Sequence, residues 1–399
     1  MKKILLVSPF PPAQNPRLLK EYTTLKSFGY DVSVIYGEKD KWSSDLINKN
    51  DKNFIRVGGK HGSVFHFVTR IIHKLLKLTS PIDWHYNRVN WLLYLRARNI
   101  KVDLYIGHNL AALPVVAKLA KKNQAKYGFD AEDFHRQVDN DNLTSTTYKY
   151  AKYLEDKYLR DASYITAASP LISEQYNFLY PALKPKVINN VFSNSYNIIR
   201  SAEPKQKKQQ VKLFWFSQTI GKDRGIQTVI KALGLLRNKD ISLTLLGSVN
   251  TDTKGYLENL VRDQQLAPEQ LIFIAPIEPD EIFKIATGFD IGLALEPGFC
   301  LNNNIALSNK LFTYIAAGLA VIATETAAQG AFMVNYPSIG KTFPINGYKE
   351  LANILEYYYQ SPDLLNEAKT SSRIIAAKEL NWENEGRKFL AVINKTFSH

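Results

Sequence analysis

The feature that most constrains this chain is a repeated alternation between two apolar periods. "KILLVSPF" (residues 3–10) is a continuous apolar run of strand length, "NPRLLKEYTTLKSFG" (15–29) spaces its apolar residues as a helix does and stops at a glycine, and "YDVSVIYG" (30–37) is a second strand. The same order returns in "VDLYIGHN" (102–109), "LAALPVVAKLAKKN" (110–123) and "AKYGFD" (125–130), and "ASYITAAS" (162–169) adds a strand. Strands that are apolar along their whole length must be covered on both faces. The intervening helices supply that cover, so the pattern demands a parallel, doubly wound sheet.

The rhythm breaks at "IRSAEPKQKKQQVK" (199–212), which is polar and lacks aromatics, and then restarts. "VKLFWFSQ" (211–218), "GIQTVIKALGLLRN" (225–238), "ISLTLLGS" (241–248), "QLIFIAP" (270–276), "DEIFKIATGF" (280–289) and "DIGLALE" (290–296) form a second series, followed by a helix over 309–317 and a strand over 319–324. The expected fold is α/β, with two tandem Rossmann-like doubly wound domains facing a cleft. Their bounds are 1–198 and 213–375, with a linker at 199–212 and a terminal helix in 376–399 that packs back toward the first domain. Ligands of such sheets bind outside the carboxyl ends of the strands.

Composition fits two full cores: 399 residues, 45% hydrophobic and 22% charged. A single cysteine, Cys300, excludes a disulfide framework, and no His/Cys cluster has zinc spacing, so no metal site is expected. The apolar run in "MKKILLVSPFPP" is too short for a signal segment, and no stretch approaches the roughly 18 to 20 apolar residues of a membrane span. A reducing, cytoplasmic setting is expected.

Charge is unevenly placed. The net charge of +14 divides into +13 over residues 1–200 and +1 over the remainder, and residues 52–101 carry ten Lys and Arg against one acid, Asp83. Such a field points to an anionic partner, whether a phosphorylated substrate, a lipid surface or a nucleic acid. Within this segment "VFHFVTRIIHKLLKL" (64–78) sets Val64, Phe65, Val68, Ile71, Ile72, Leu75 and Leu76 at helical spacing, with Arg70, His73, Lys74 and Lys77 between them. Such a helix either packs its apolar face inward behind a solvated basic rim or lies on an anionic leaflet, with Trp84 and Trp91 as interfacial anchors.

Two loops of the second half carry the chemistry of anion binding. In "ALSNKLFTYIAAGLAVIAT" (306–324) Ser308 stands at an N-cap, so the amides of Asn309, Lys310 and Leu311 lie at a positive helix end beside the Lys310 ammonium. "SQTIGKDRG" (217–225) ends a strand of the same domain with Lys222 and Arg224 before another helix. Two cationic strand ends can face one diphosphate.

The stretches "FSQTIGKDRGIQTVIKAL", "LTLLGS", "DIGLALE" and "SNKLFTYIAAGLAVIAT" resemble the donor-nucleotide domain of the group 1 glycosyltransferases, the retaining enzymes of glycosyltransferase family 4 with the GT-B fold. "NPRLLKEYTTLKSFGYDVSVI", "GHNLAALPVVAKLA", "FDAED" and "KVINNVF" are similar to that family's N-terminal domain, and the resemblance covers nearly the whole chain in order. It implies that the family's diphosphate-binding lysine falls on Arg224 and its partner arginine near Gln218, with Lys222 as a substitute. The position of the ribose-binding glutamate is Thr313, a neutral hydrogen-bonder. Glu296 is left to hold a hexose hydroxyl, supplemented by Asn302, Asn303 and Asn304, unless it is a strand-end surface acid. The family's histidine near the scissile bond maps to Asp130, Glu132 or His135 in "YGFDAEDFHR". Crowding of Asp130, Glu132 and Asp133 raises a carboxyl pKa for catalysis or forms an acidic helix start. His108 is a structural hydrogen-bonder or a contact to sugar or acceptor. Arg17, at the start of a helix, touches an acceptor phosphate or the diphosphate, or is a surface residue.

The resemblance implies a retaining transferase that moves a hexose from a UDP- or GDP-type donor, without a further cofactor, to a glycan or lipid-linked acceptor in cell-surface polysaccharide biosynthesis. It would be cytoplasmic, or peripheral on the inner face of the membrane. Two alternatives are a nucleotide-sugar epimerase of the same fold and a non-catalytic relative that binds glycans or partners. Nucleic acid is not an expected partner.

Overall fold

The computed structural model describes residues 1–37, 52–196, 210–237 and 239–398. It divides into two units. One holds Met1–Asn189, Cys300–Asn302 and the chain from Gly386 onward, and the other holds Asn190–Phe299 and Asn303–Glu385.

The first unit is built on strands β1 (Lys3–Ser8), β2 (Asp31–Gly37), β3 (Phe54–Val57), β4 (Leu104–His108), β5 (Lys126–Ala131), β6 (Tyr164–Ala167) and β7 (Lys186–Val187), all parallel, in the spatial order β3-β2-β1-β4-β5-β6-β7. Its helices are α1 (Pro16–Ser27), α2 (Val64–Thr79), α3 (Ile82–His85), α4 (Asn90–Ala97), α5 (Leu113–Asn123), α6 (Thr146–Tyr158) and α7 (Pro170–Leu179). The central strands are buried on both faces, as in Ile4 to Val7 and Leu104 to Ile106. Helix α1 starts where Asn15 accepts the amide of Leu18 at 3.1 Å and Pro16 supplies a preset first turn.

The second unit repeats the plan with β8 (Val211–Thr219), β9 (Ile241–Ser248), β10 (Leu271–Ile274), β11 (Ile291–Ala294), β12 (Ala320–Thr324) and β13 (Gly340–Phe343), parallel in the order β10-β9-β8-β11-β12-β13. Its helices are α8 (Ile226–Leu235), α9 (Thr251–Asp263), α10 (Pro279–Ala286), α11 (Leu301–Ile305), α12 (Asn309–Ala316), α13 (Ala327–Asn335), α14 (Tyr348–Gln360) and α15 (Pro362–Lys378), with Leu301 and Asn302 of α11 counted in the first unit; α16 (Trp382–Ser398) begins in the second unit and belongs to the first from Gly386. Both sheets reverse their strand order beside their first strand, which is the doubly wound arrangement that opens a ligand crevice at the carboxyl ends. Helix α8 packs Ile226, Val229, Ile230 and Leu233 into one core, while α12 packs Leu311, Phe312, Tyr314 and Ile315 into another on the opposite face of the sheet.

The boundaries differ from the sequence expectation. The first unit ends at Asn189 rather than 198, because Val191 is fully buried in the core of the second unit with Phe192 packed beside it. The expected linker, 199–212, lies outside the described residues up to 209, and β8 has begun by Val211. The terminal segment also divides. The Trp382 amide donates to the Phe192 carbonyl at 2.9 Å within the second unit. Beyond Gly386, Asn394 accepts from the Tyr30 hydroxyl at 2.6 Å and the Thr396 carbonyl from Lys126 at 2.6 Å within the first. Among the described residues no helix is long and apolar enough to cross a membrane.

Gly225, which leads into α8, sits at φ +76°, and a Cβ there would lie 3.0 Å from Cβ of Leu295. Gly225→Ala is therefore expected to cost about 1–2 kcal/mol for the left-handed backbone alone, and a few degrees in Tm. An unchanged melting temperature in differential scanning fluorimetry would contradict this account of the turn.

Candidate functional site

The loops after β8, β11, β12 and β13 enclose a cavity of about 430 Å³ within the second unit. Lys222, Gly225, Gln227 and Lys231 line it from the start of α8, Glu296 and Pro297 from the loop after β11, Thr324 from the end of β12, and Asn346 and Tyr348 from the start of α14. This is the crevice between β8 and β11, where the strand order reverses. Lys222 holds its ammonium 4.8 Å from the ring centre of Tyr256, a cation over an aromatic face at the cavity edge.

Glu296 is the best-anchored polar group of the cavity. Its backbone is locked to Thr324, whose hydroxyl accepts the Glu296 amide at 2.9 Å and donates to the Glu296 carbonyl at 2.7 Å. Its carboxylate lies 2.8 Å from the Lys310 ammonium and 3.2 Å from the Asn303 carboxamide. Burial alone would raise its pKa. The Lys310 charge and hydrogen bonds from Lys310, Ser308 and Asn303 outweigh burial and hold the carboxyl below its ordinary value. A fixed carboxylate of this kind can accept hydrogen bonds from ligand hydroxyls.

The residues expected at the positive helix end are placed as follows. Ser308 caps α12, accepting the Lys310 amide at 3.4 Å, and Asn309 accepts from Asn190 at 2.8 Å. Lys310 is paired with Glu296 rather than solvated. Thr313 is buried, and its hydroxyl donates to the Asn309 carbonyl one turn back at 2.9 Å, so its proton is used within the helix and only its acceptor lone pairs are left. Gln218 and Arg224 are exposed and outside the cavity lining, whereas Lys222 lies in it. The three asparagines do not act together. Asn303 reaches Glu296, Asn304 accepts the Ala327 amide at 2.8 Å at the start of α13, and Asn302 belongs to the first unit, where it donates to Asp133 at 2.9 Å and accepts the Phe134 amide at 2.7 Å.

In the first unit, the expected catalytic acids and acceptor contacts meet in a buried ion cluster at the ends of β4 and β5. Arg17, expected at a surface or a ligand, is fully buried and forks onto Asp130, with Nη2 at 2.7 Å, while also donating to the Ile188 carbonyl. Thr166 donates to Asp130 at 2.6 Å. His108 places Nε2 at 3.3 Å from Glu21 and Nδ1 at 3.4 Å from Glu132, and Asn15 donates to Glu132 at 2.6 Å. Asp130 is thus not raised by crowded acids. Burial pushes its pKa up, but the Arg17 charge and the His108 bond hold it well below the carboxylate range. Burial raises Glu21. For His108 burial works against the imidazolium, yet the Glu21 charge and the bonds to Asp130 and Glu132 lift the pKa well above its ordinary value.

Glu21, His108 and Asp130 bring ligand atoms within 4.8 Å of one another, but the Arg17 guanidinium already supplies the positive charge among them. Glu132, a quarter exposed, is the member that reaches solvent. His135 stands apart, buried beside the Phe129 ring at 5.9 Å between centres. Sequence reasoning missed Glu21. Its spacing of four residues from Arg17 on α1 was the available signal.

On α2, Arg70, Lys74 and Lys77 are exposed. Trp84 and Trp91 are not free interfacial anchors, because Trp84 packs edge-on against Tyr94 at 5.1 Å under the Lys118 ammonium, and the Trp91 indole nitrogen is buried.

No protein-family profile matches the chain, and no curated protein does. Solved structures do. Sucrose-phosphate synthase from Thermosynechococcus elongatus superposes with a TM-score of 0.74 at 13% identity, covering 100% of both chains. A glycosyltransferase from Rickettsia africae gives 0.68 at 16% identity over 99% of both chains. Anabaena Alr3699/HepE in complex with UDP gives 0.69 at 14% identity, covering 99% of this chain and 100% of that one. The chain therefore has the two-unit, Rossmann-like GT-B fold found in glycosyltransferases.

The sign of the His108 shift yields a prediction. A histidine whose folded pKa is raised adds stability that is fully present below its ordinary value of about 6.5 and is lost as pH rises through the folded value. The Tm deficit of His108→Gln against the wild type is expected to be larger near about pH 6 than near about pH 9. A deficit equal at both would show an unshifted pKa, and one smaller near about pH 6 would show that His108 is held neutral; either would contradict the assignment.

Proposed function

We propose that the chain is a glycosyltransferase that transfers a hexose from a UDP- or GDP-type sugar, with retention at the anomeric carbon, to a glycan or lipid-linked acceptor. The observation that carries this reading is the Glu296 carboxylate, fixed by Lys310 and Asn303 in a cavity at the switch point of the second sheet. The fold supports it, and so do relatives of that fold: Anabaena HepE is solved with UDP, with UDP and glucose, and with UDP-glucose. In this reading Glu296 accepts from sugar hydroxyls. Lys222, Lys310 and the α12 amides neutralise the diphosphate as its bond to the sugar breaks, and the departing phosphate oxygen takes the acceptor proton. The setting is cytoplasmic, in cell-surface polysaccharide synthesis, and with a lipid-linked acceptor the work is done at the inner face of the membrane.

One observation favours a second reading, a non-catalytic relative that binds glycans or partners. The Thr313 proton is committed to its own helix, so that residue offers the nucleotide no donor and no charge where a carboxylate would give a charge-assisted bond.

A panel of UDP-, GDP- and ADP-sugars, scored for thermal stabilisation and slow hydrolysis, separates the readings. One donor is expected to stabilise the chain and to be hydrolysed, and Glu296→Gln is expected to cut turnover roughly 10- to 100-fold, the worth of a charged hydrogen bond. Nucleotide binding without hydrolysis would favour the non-catalytic reading, and donor isomerisation without acceptor would favour an epimerase. A donor effect that survives in Lys310→Met, with the variant still folded by circular dichroism, would overturn the phosphate assignment.

A further inference from the structure

Helix α2 is amphipathic in the inverted sense. The side turned into the first unit is polar. His66 and Thr69 are buried, the Thr69 hydroxyl donates to the His66 carbonyl at 2.7 Å and accepts from Arg88, and the His73 ring bonds the His85 carbonyl at 2.9 Å. Arg88 also donates to the Gly58 carbonyl at 2.8 Å, tying the helix to the end of β3. The side turned outward is apolar. Val64 is 81% exposed, Phe67 62%, Leu75 56% and Leu78 84%, with Val68 and Ile71 exposed between them.

Positions 64, 68, 71, 75 and 78 follow the i, i+4, i+7 spacing of one helical stripe, and Phe67 widens it. At 100° per residue Arg70, Lys74 and Lys77 fall together along one border of that stripe, and all three are exposed. No carboxylate interrupts the helix, and the segment 52–101 around it has a net charge of +9. Rotating α2 to bury the stripe would break the Arg88–Thr69 and His73–His85 bonds and expose the polar side. Among the described residues nothing covers the apolar stripe, which leaves it free to meet a partner.

We propose that the outward face of α2 docks on an anionic lipid bilayer, the stripe entering the boundary between headgroups and acyl chains and Arg70, Lys74 and Lys77 pairing with lipid phosphates. Charge complementarity selects this occupant. A row of unpaired apolar side chains flanked by cations, in a helix that lies on the protein rather than spanning anything, matches the geometry of an interfacial helix. The surface is distinct from the cavity of the second unit, so it stands whether or not the transferase reading does, and it supplies the membrane contact that a lipid-linked acceptor would require.

The test is co-sedimentation of the full chain with vesicles of phosphatidylcholine and phosphatidylglycerol in equal parts, against phosphatidylcholine alone. The wild type is expected to sediment with the anionic vesicles only, and less so as salt is raised. At about 1 kcal/mol per cation near an anionic surface, Arg70→Gln, Lys74→Gln and Lys77→Gln together are expected to weaken binding on the order of a hundredfold. Ile71→Glu with Leu75→Glu should abolish it, with the Tm and any donor-induced stabilisation unchanged, since both residues are exposed. Absence of binding to anionic vesicles, or binding that Ile71→Glu with Leu75→Glu leaves intact, overturns the proposal. So does a wild-type dimer in analytical ultracentrifugation that the same pair of substitutions converts to monomer, because the stripe would then belong to a second copy of the chain.

Discussion

Two helices that leave neighbouring parallel strands toward opposite faces cannot close the sheet edge between them, and this constraint opens the cavity of the second unit. β8 hands the chain to α8 on one face and the β11 connection hands it to α12 on the other, each buried in its own core. The gap between them is the crevice where Glu296 sits, and its depth keeps that carboxylate buried enough to need Lys310. Removing either partner would leave a charge in low dielectric, a loss of about 3–5 kcal/mol. The pair therefore serves both the integrity of the loop and the polarity of the cavity.

The first unit meets the same topological gap with a different solution. At the ends of β4 and β5 the space is filled by Arg17, Glu21, His108 and Asp130, all fully buried. A cluster of four ionisable groups is held there by opposite partners within reach of one another, with Thr166 bonded to Asp130 and Ile188 to Arg17, while the Glu21 oxygens and His108 Nε2 meet in ion-pair contact without a hydrogen bond. Glu132 is its outward member, held by the buried Asn15.

The fold was legible because burial on both faces writes itself into sequence. β1, β4 and β12 are almost wholly apolar and β8 is apolar through Leu213–Phe216, and the helices between them keep helical spacing, so the doubly wound plan follows from periodicity. Short edge strands such as β3 and β7 lack that signal. At the site, Glu296 and Lys222 were visible as polar residues after strands and Ser308 as a helix N-cap. The partners were not. Nothing local marks Arg17 as buried, since its acid, Asp130, is remote in sequence. Thr313 was legible as a hydroxyl but not as one already used by its helix. In α2 the apolar periodicity was plain, yet which face turned inward depended on Arg88 and His85, residues from outside the helix.

The central claim, that the β8–β11 crevice binds the diphosphate of a nucleotide sugar, is tested most directly by a crystal structure of the chain grown with UDP or GDP. The account predicts phosphate density at the start of α12 within hydrogen-bond distance of the Lys310 ammonium, with Glu296 facing the space beyond it. Nucleotide bound elsewhere in the second unit, with the Lys310–Glu296 pair unchanged, would contradict it.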